Sequence, residues 1–72
     1  MANSTYVIIE LVGTSAASWE DAAKNALKTA SRSIKELRVA EVTKLDMTLD
    51  KGKVTAYRAR ITVSFKYLKG DL

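Results

Sequence analysis

The 72-residue sequence contains no cysteine, no histidine and no proline. Without cysteine the chain forms no disulfide and no zinc finger, and without histidine it lacks the commonest proton shuttle and metal ligand. A chain of this length is expected to form one domain, residues 1–72. Such a small domain buries only about 60% of its unfolded surface. Because small domains usually gain stability from disulfides, a metal or oligomerisation, we expect oligomerisation here, with carboxylate-bound hard cations as a lesser option.

The sequence also lacks long apolar runs. Its longest ones, residues 7–9 and 11–12, are far shorter than the ~20 residues that cross a membrane. Residues 1–4 do not resemble a signal peptide. We therefore expect a soluble, cytoplasmic protein with no membrane partner. The net charge of +4 permits anionic partners but identifies none.

The first half of the sequence predicts a strand followed by a helix. Residues 5–12 are rich in β-branched and aromatic side chains, which favour a strand, and residues 13–17 follow as a loop of small residues. Ser18 precedes Asp21 with the spacing of a capping box. From Trp19 to about residue 37, apolar residues recur every three or four positions and indicate one helix. Trp19 itself is expected to pack at the start of this helix.

The second half predicts two strands, residues 39–50 and 54–67, because both segments alternate with period two around a turn at Gly52. In the first of them, strict alternation places on one face Val39, Glu41, Thr43, Leu45, Met47 and Leu49. In the second, the apolar face carries Tyr57, Ala59, Ile61, Val63, Phe65 and Tyr67. The fold class is therefore α+β, with the order β-α-β-β. We expect a three-stranded antiparallel sheet with the last strand in the centre and the helix on one face.

The predicted strands are longer than the predicted helix that has to cover them. Strands of 12–14 residues reach ~40 Å, whereas a helix of about 19 residues spans ~28 Å. One helix therefore cannot cover the whole sheet, and the apolar residues in excess are Ile8, Val12, Met47, Leu49, Phe65 and Tyr67. A long exposed edge strand is also an aggregation hazard. Both problems disappear if copies of the chain pack together, so the sequence predicts an obligate homo-oligomer.

Several short motifs, in order along residues 5–68, resemble the dodecin family. They are the strand before Gly13-Thr14-Ser15, the helix start Trp19-Glu20-Asp21-Ala22-Ala23, and Glu41-Val42, Gly52-Lys53-Val54 and Val63-Ser64-Phe65. The resemblance implies a sheet wrapped round one helix and twelve chains assembled into a hollow shell. It also implies a non-enzymatic role in storing flavin, as riboflavin, FMN or FAD.

The positions that bind flavin in that family are substituted in this sequence. The resemblance places the family's stacking tryptophan at Val39, its strand-3 glutamine at Arg58 and a strand-2 arginine at Asp46. Val39 has no π face, and Arg58 only donates hydrogen bonds where an amide both donates and accepts. The substituted pattern resembles the calcium-binding dodecins. The resemblance thus implies a cation binder, with a flavin binder that has an altered pocket as the alternative.

The strand carboxylates are the candidates for a Ca²⁺ or Mg²⁺ site. They are Glu10, Glu41, Asp46 and Asp50. Repeated around a symmetry axis, they would supply the several oxygens that hard cations prefer, and Asp46 and Glu10 are the leading candidates. The alternative is that they form ion pairs across strands or subunits with Arg58, Arg60, Lys44 or Lys66.

Two other function classes receive little support from the sequence. Catalysis lacks histidine, cysteine and any serine with a recognisable base. Nucleic-acid binding is favoured by the net charge alone. Exposed aromatics for base stacking are lacking, because Tyr57, Phe65 and Tyr67 lie on the apolar row. We therefore expect a non-catalytic homododecameric shell that binds cations or small ligands.

Overall fold

The computed structural model describes residues 5–66. Its elements follow the predicted order: β1 (Tyr6–Ser15), α1 (Trp19–Ala30), β2 (Leu37–Asp50) and β3 (Lys53–Lys66). β3 lies between β1 and β2 and is antiparallel to both, which confirms the predicted topology. Tyr67, predicted at the end of the last strand, lies outside the described residues. No helix within residues 5–66 is long and apolar enough to cross a membrane.

The helix packs on β1 and β3 through small side chains, which let the two layers approach closely. The buried apolar residues of α1 and β3 are Ala22, Ala26, Ala30, Ala59, Ile61 and Val63. Gly13 on β1 lies directly under the helix, because a Cβ atom built there would be only 2.0 Å from the Ala22 carbonyl oxygen. The helix backbone therefore rests almost on the strand backbone at this point.

The junction between β1 and α1 differs from the predicted loop. Residues 13–15 continue β1 and pair with residues 57–59 of β3, so the prediction of a loop from residue 13 is wrong. Small residues often mark loops, but here they leave room for the helix. The Ser15 hydroxyl donates to Asp21 Oδ2 at 2.6 Å. The predicted cap is confirmed, because the Asp21 amide donates to Ser18 Oγ at 3.0 Å.

The helix is also shorter than predicted, and the extension to about residue 37 is wrong. It ends at Ala30, and the Ser31 hydroxyl donates to the Lys28 carbonyl at 2.9 Å. Serine side chains compete with the helix for backbone partners in this way. Glu36 then adopts a positive φ of 64° and turns the chain into β2. Leu37 packs on the core from β2 and not from the helix.

Strict alternation along β2 is wrong as well. The pairing of β2 with β3 shifts register three times, once between Val42 and Lys44. Thr43 is left unpaired there, as in a β-bulge, and its hydroxyl donates to the Arg60 carbonyl at 3.1 Å. Lys44 therefore shares a sheet face with Glu41, whereas alternation predicts opposite faces.

The short helix leaves much of the sheet uncovered. Twelve helical residues span about 18 Å, while the described chain is 52 Å long. Its accessible surface is 5524 Å², about 1,100 Å² more than expected for a compact monomer of this mass. The large apolar side chains left exposed include Ile8, Val12, Val39, Val42, Leu45, Met47 and Leu49. Of the six apolar residues predicted to be in excess, Ile8, Val12, Met47 and Leu49 are exposed, which confirms the prediction for these four.

Candidate functional site on the outer face of the sheet

Five of the predicted site residues lie on the side of the sheet opposite α1, which we call the outer face: Glu10, Val39, Glu41, Asp46 and Arg58. Asp50 instead lies in the last pair before the hairpin turn, opposite Lys53. Strand register arranges this face in rows of three directly paired residues from β1, β3 and β2. In order from the start of β1 the rows are Ile8–Ser64–Val39, Glu10–Thr62–Glu41, Val12–Arg60–Lys44 and Thr14–Arg58–Asp46. The site is therefore a mostly polar surface whose first row carries the exposed apolar side chains of Ile8 and Val39.

Arg58 and Asp46 form a two-pronged ion pair across β3 and β2. Arg58 Nε donates to Asp46 Oδ1 at 2.7 Å, and its Nη2 donates to Oδ2 at 2.8 Å. The hydrogen bonds from Arg58 lower the pKa of Asp46, and the positive charges of Arg58 and Arg60 add to this effect. The same partner raises the pKa of Arg58. The ion-pair alternative for Asp46 is thus confirmed, and both oxygens of this carboxylate are already engaged within the chain.

Trp19 connects the helix start to the strand that carries Asp46. Its indole Nε1 donates to the Asp46 carbonyl oxygen at 2.9 Å, and its ring meets Tyr57 edge-on with 5.0 Å between centroids. The sequence places Trp19 at the helix start, but only the strand order shows that it reaches across β3 to β2. This bond fixes the backbone of the residue whose side chain holds Arg58.

Glu10 and Asp46, the two leading cation ligands, do not come together within one chain. They lie on the two edge strands, two rows apart, which corresponds to a separation of about 16 Å. Glu41 lies in the same row as Glu10 but on the other edge strand. Among residues 5–66, no three acidic side chains are grouped closely enough to hold a metal ion.

Val39 is likewise distant from Asp46 and Arg58, the other two positions that the resemblance assigns to flavin. Its row lies three rows from that of Arg58, about 20 Å along the strands. The Val39 side chain is 62% exposed. Beside it, an open cleft of about 390 Å³ lies between the helix end and β2, with Leu27, Leu37 and Val63 in its lining. Only Asp46 and Arg58 of the three positions are neighbours within the chain.

The sequence as a whole is similar to one known protein family. The family model described as Dodecin matches residues 5–68. The chain belongs to the dodecin family. The calcium dodecin of Mycobacterium tuberculosis is 47% identical over 64 residues, which cover 88% of this chain and 89% of that dodecin.

Solved dodecin structures have the same fold. The dodecin from Streptomyces coelicolor superposes with a TM-score of 0.91 at 30% identity, over 97% of this chain and 100% of that one. The calcium dodecin from Mycobacterium tuberculosis, described as having a novel calcium-binding site, superposes with a TM-score of 0.82 at 41% identity, over 96% and 99% of the two chains. The sequence-based assignment to the dodecins is confirmed.

Proposed function

We propose that this dodecin assembles into a closed homododecameric shell in the cytoplasm and binds Ca²⁺ or Mg²⁺ without catalysing a reaction. The observation that carries the proposal is the uncovered sheet. Val42 and Leu45, on the helix side of β2, remain 51% and 52% exposed, although isolated soluble proteins rarely expose contiguous apolar patches of this kind. The similarity to a calcium dodecin supports the cation as ligand.

The proposed cation site is shared between copies. Ca²⁺ needs six to eight oxygens at about 2.3–2.6 Å, and the distance between Glu10 and Asp46 of one chain excludes a common ion. Copies around a symmetry axis would supply repeated carboxylates. Glu10 is the stronger of the two candidates, because a cation at Asp46 would lie beside the positive charge of Arg58, which already bonds both carboxylate oxygens.

A non-catalytic role is supported by the chemistry of the side chains. The chain has no histidine or cysteine, and the resolved pKa shifts, at Asp46 and Arg58, belong to one ion pair. Both shifts favour the charged forms of their groups, whereas a general acid or base needs a pKa close to the working pH. Arg58 and Asp46 therefore suit a structural or binding role.

Flavin binding in an altered pocket is the second candidate. The exposed Val39 and its adjoining cleft of about 390 Å³ favour it, since small-molecule sites are mostly apolar clefts of about 300–1,000 Å³. The Arg58–Asp46 pair argues against it, because two of the five N–H donors of the Arg58 guanidinium already bond Asp46. A flavin ring could bond only the remaining donors of Arg58 unless it breaks this ion pair.

Native mass spectrometry of the purified protein tests assembly and retained ligands together. We expect a species of twelve chains, and a mass near one chain, 7.9 kDa, would refute the shell. Calorimetry with Ca²⁺ tests the cation, using Glu10→Gln as the variant and Glu20→Gln, on the exposed helix surface, as the matched control. We expect heat of binding that Glu10→Gln reduces and the control leaves unchanged. Quenching of added riboflavin fluorescence would instead favour the second candidate.

A further inference from the structure

The net charge of the chain is concentrated in one segment. Residues 22–38 contain five basic residues and one acidic residue, which amounts to +4, while the rest of the chain has seven of each sign and is neutral. All six charged side chains of the segment are exposed. They lie on the exposed side of α1, on the turn that follows it and at the start of β2, so this part of the surface favours anionic ligands.

An open cleft of about 390 Å³ lies within this basic surface, between the end of α1 and the start of β2. We call it the basic cleft. Its lining combines the apolar side chains of Leu27, Leu37 and Val63 with the cations of Lys28 and Arg38. Small-molecule sites typically have such an apolar lining with a few placed polar groups. A second open cleft, about 440 Å³ between α1 and β1, is lined among the described residues by uncharged side chains, so positive charge distinguishes the basic cleft.

Two backbone irregularities occur where the chain passes this cleft. Glu36 has a φ of 64°, in the left-handed region that is strained for a residue with a side chain. Arg38 is left unpaired, because the register of β2 against β3 shifts between Leu37 and Val39, as at a β-bulge. The side chains of Glu36 and Arg38 form an ion pair. Because strained residues and bulges are concentrated at functional sites, the backbone points to the same cleft as the charge does.

The charges at the basic cleft fit a ligand with a single negative charge. Lys28 and Arg38 are offset by one carboxylate, Glu36, which leaves a net +1. Lys28 also lies in the last turn of α1, where the helix dipole is negative and opposes further negative charge. Arg38 bonds Glu36 through Nη2 alone, so its other N–H donors are available to a ligand. A carboxylate is therefore neutralised here more completely than a doubly charged phosphate ester.

We propose that the basic cleft binds small amphipathic carboxylates, such as medium-chain alkyl acids. The ligand's carboxylate lies between Lys28 and Arg38, which donate charge-assisted hydrogen bonds to it. Its apolar body packs against Leu27, Leu37 and Val63. The inference goes beyond the proposed function, because neither the shell nor the cation site uses this cleft, and its ligand is smaller than the flavin of the second candidate.

Calorimetry of the full chain with octanoate, octanol and octyl phosphate tests the charge and the apolar body separately. We expect octanoate to bind, uncharged octanol to bind about ten-fold more weakly, and octyl phosphate to bind no more tightly than octanoate. Lys28→Gln and Arg38→Gln should each weaken octanoate binding about ten-fold. Lys24→Gln, an equal loss of charge one helical turn away and outside the cleft lining, should leave it unchanged. Ala40→Leu, which fills the lining, should weaken the binding of all three ligands.

Glu36→Gln tests the charge balance, because the cleft then carries +2 and octyl phosphate should bind more tightly than octanoate. Circular dichroism reports whether each variant is folded, and the exposed Lys28 keeps the test decisive if Arg38→Gln does not fold. The inference is overturned if octanoate does not bind the folded wild type, or binds Lys28→Gln equally well. An equal loss in Lys24→Gln would also overturn it, because the whole basic surface and not the cleft would then attract the anion. None of these results alters the shell, which native mass spectrometry tests separately.

Discussion

Replacing Gly13 with alanine tests how closely the helix rests on β1. The new Cβ atom would lie 2.0 Å from the Ala22 carbonyl oxygen and 2.8 Å from the Ala26 Cβ atom. Separations below 3.0 Å are essentially never seen for real Cβ atoms, so the helix has to move by about 1 Å or more. The obstacle is helix backbone, which yields less readily than a flexible side chain.

Because the helix backbone is rigid, we expect Gly13→Ala to lower the free energy of unfolding substantially. Overpacking a tight core costs about 1–3 kcal/mol, and we expect the upper half of this range. For a domain of this size, each kcal/mol lowers Tm by about 4–8 °C, so Gly13→Ala should melt at least about 8 °C below the wild type. Since Trp19 begins the displaced helix, its emission should also change as its bond to the Asp46 carbonyl weakens.

Gly52→Ala is the matched control. Gly52 has a φ of +80° with nothing within 4 Å of an added Cβ, so alanine there is strained by about 1–2 kcal/mol without touching the helix. We expect a smaller loss of stability and unchanged Trp19 emission. Thermal melts at one fixed protein concentration measure both variants, because assembly adds to apparent stability. A Gly13→Ala protein as stable as the wild type would refute the close packing of α1 on β1.

Three further predictions concern the cap, the ion pair and the flavin positions. Ser18→Ala should lower the free energy of unfolding in urea by about 1 kcal/mol, and Ser18→Gly by only a few tenths. Because Arg58 depresses the folded pKa of Asp46, the pair stabilises the protein above the unfolded value of 3.8 and loses this effect as the pH falls through the folded value. Thermal melts below pH 3.8 should therefore show a loss that Asp46→Asn lacks. Val39→Trp with Arg58→Gln should make the protein quench riboflavin fluorescence, whereas Val54→Trp, at a comparably exposed valine, should not.

The sequence predicts the parts of the fold that depend on local patterns. The Ser18 cap was predictable because the capping spacing is short and specific. The central position of β3 was predictable because its apolar row is continuous and a hairpin joins it to β2. The burial of Ala59, Ile61 and Val63 confirms that row. Each of these features depends on residues close together in the sequence or on a period that no bulge interrupts.

The errors arose where distant contacts decide the outcome. Ile34 and Leu37 continue the helical spacing, but the helix ends at Ala30, and Leu37 pairs with Phe65 in the sheet. Thr43 carries no sequence signal of a bulge, since its unpaired position depends on the register with Arg60. For the same reason the ion pair of Arg58 with Asp46 could be stated only as one alternative. Its partners are twelve residues apart, and only the register makes them neighbours.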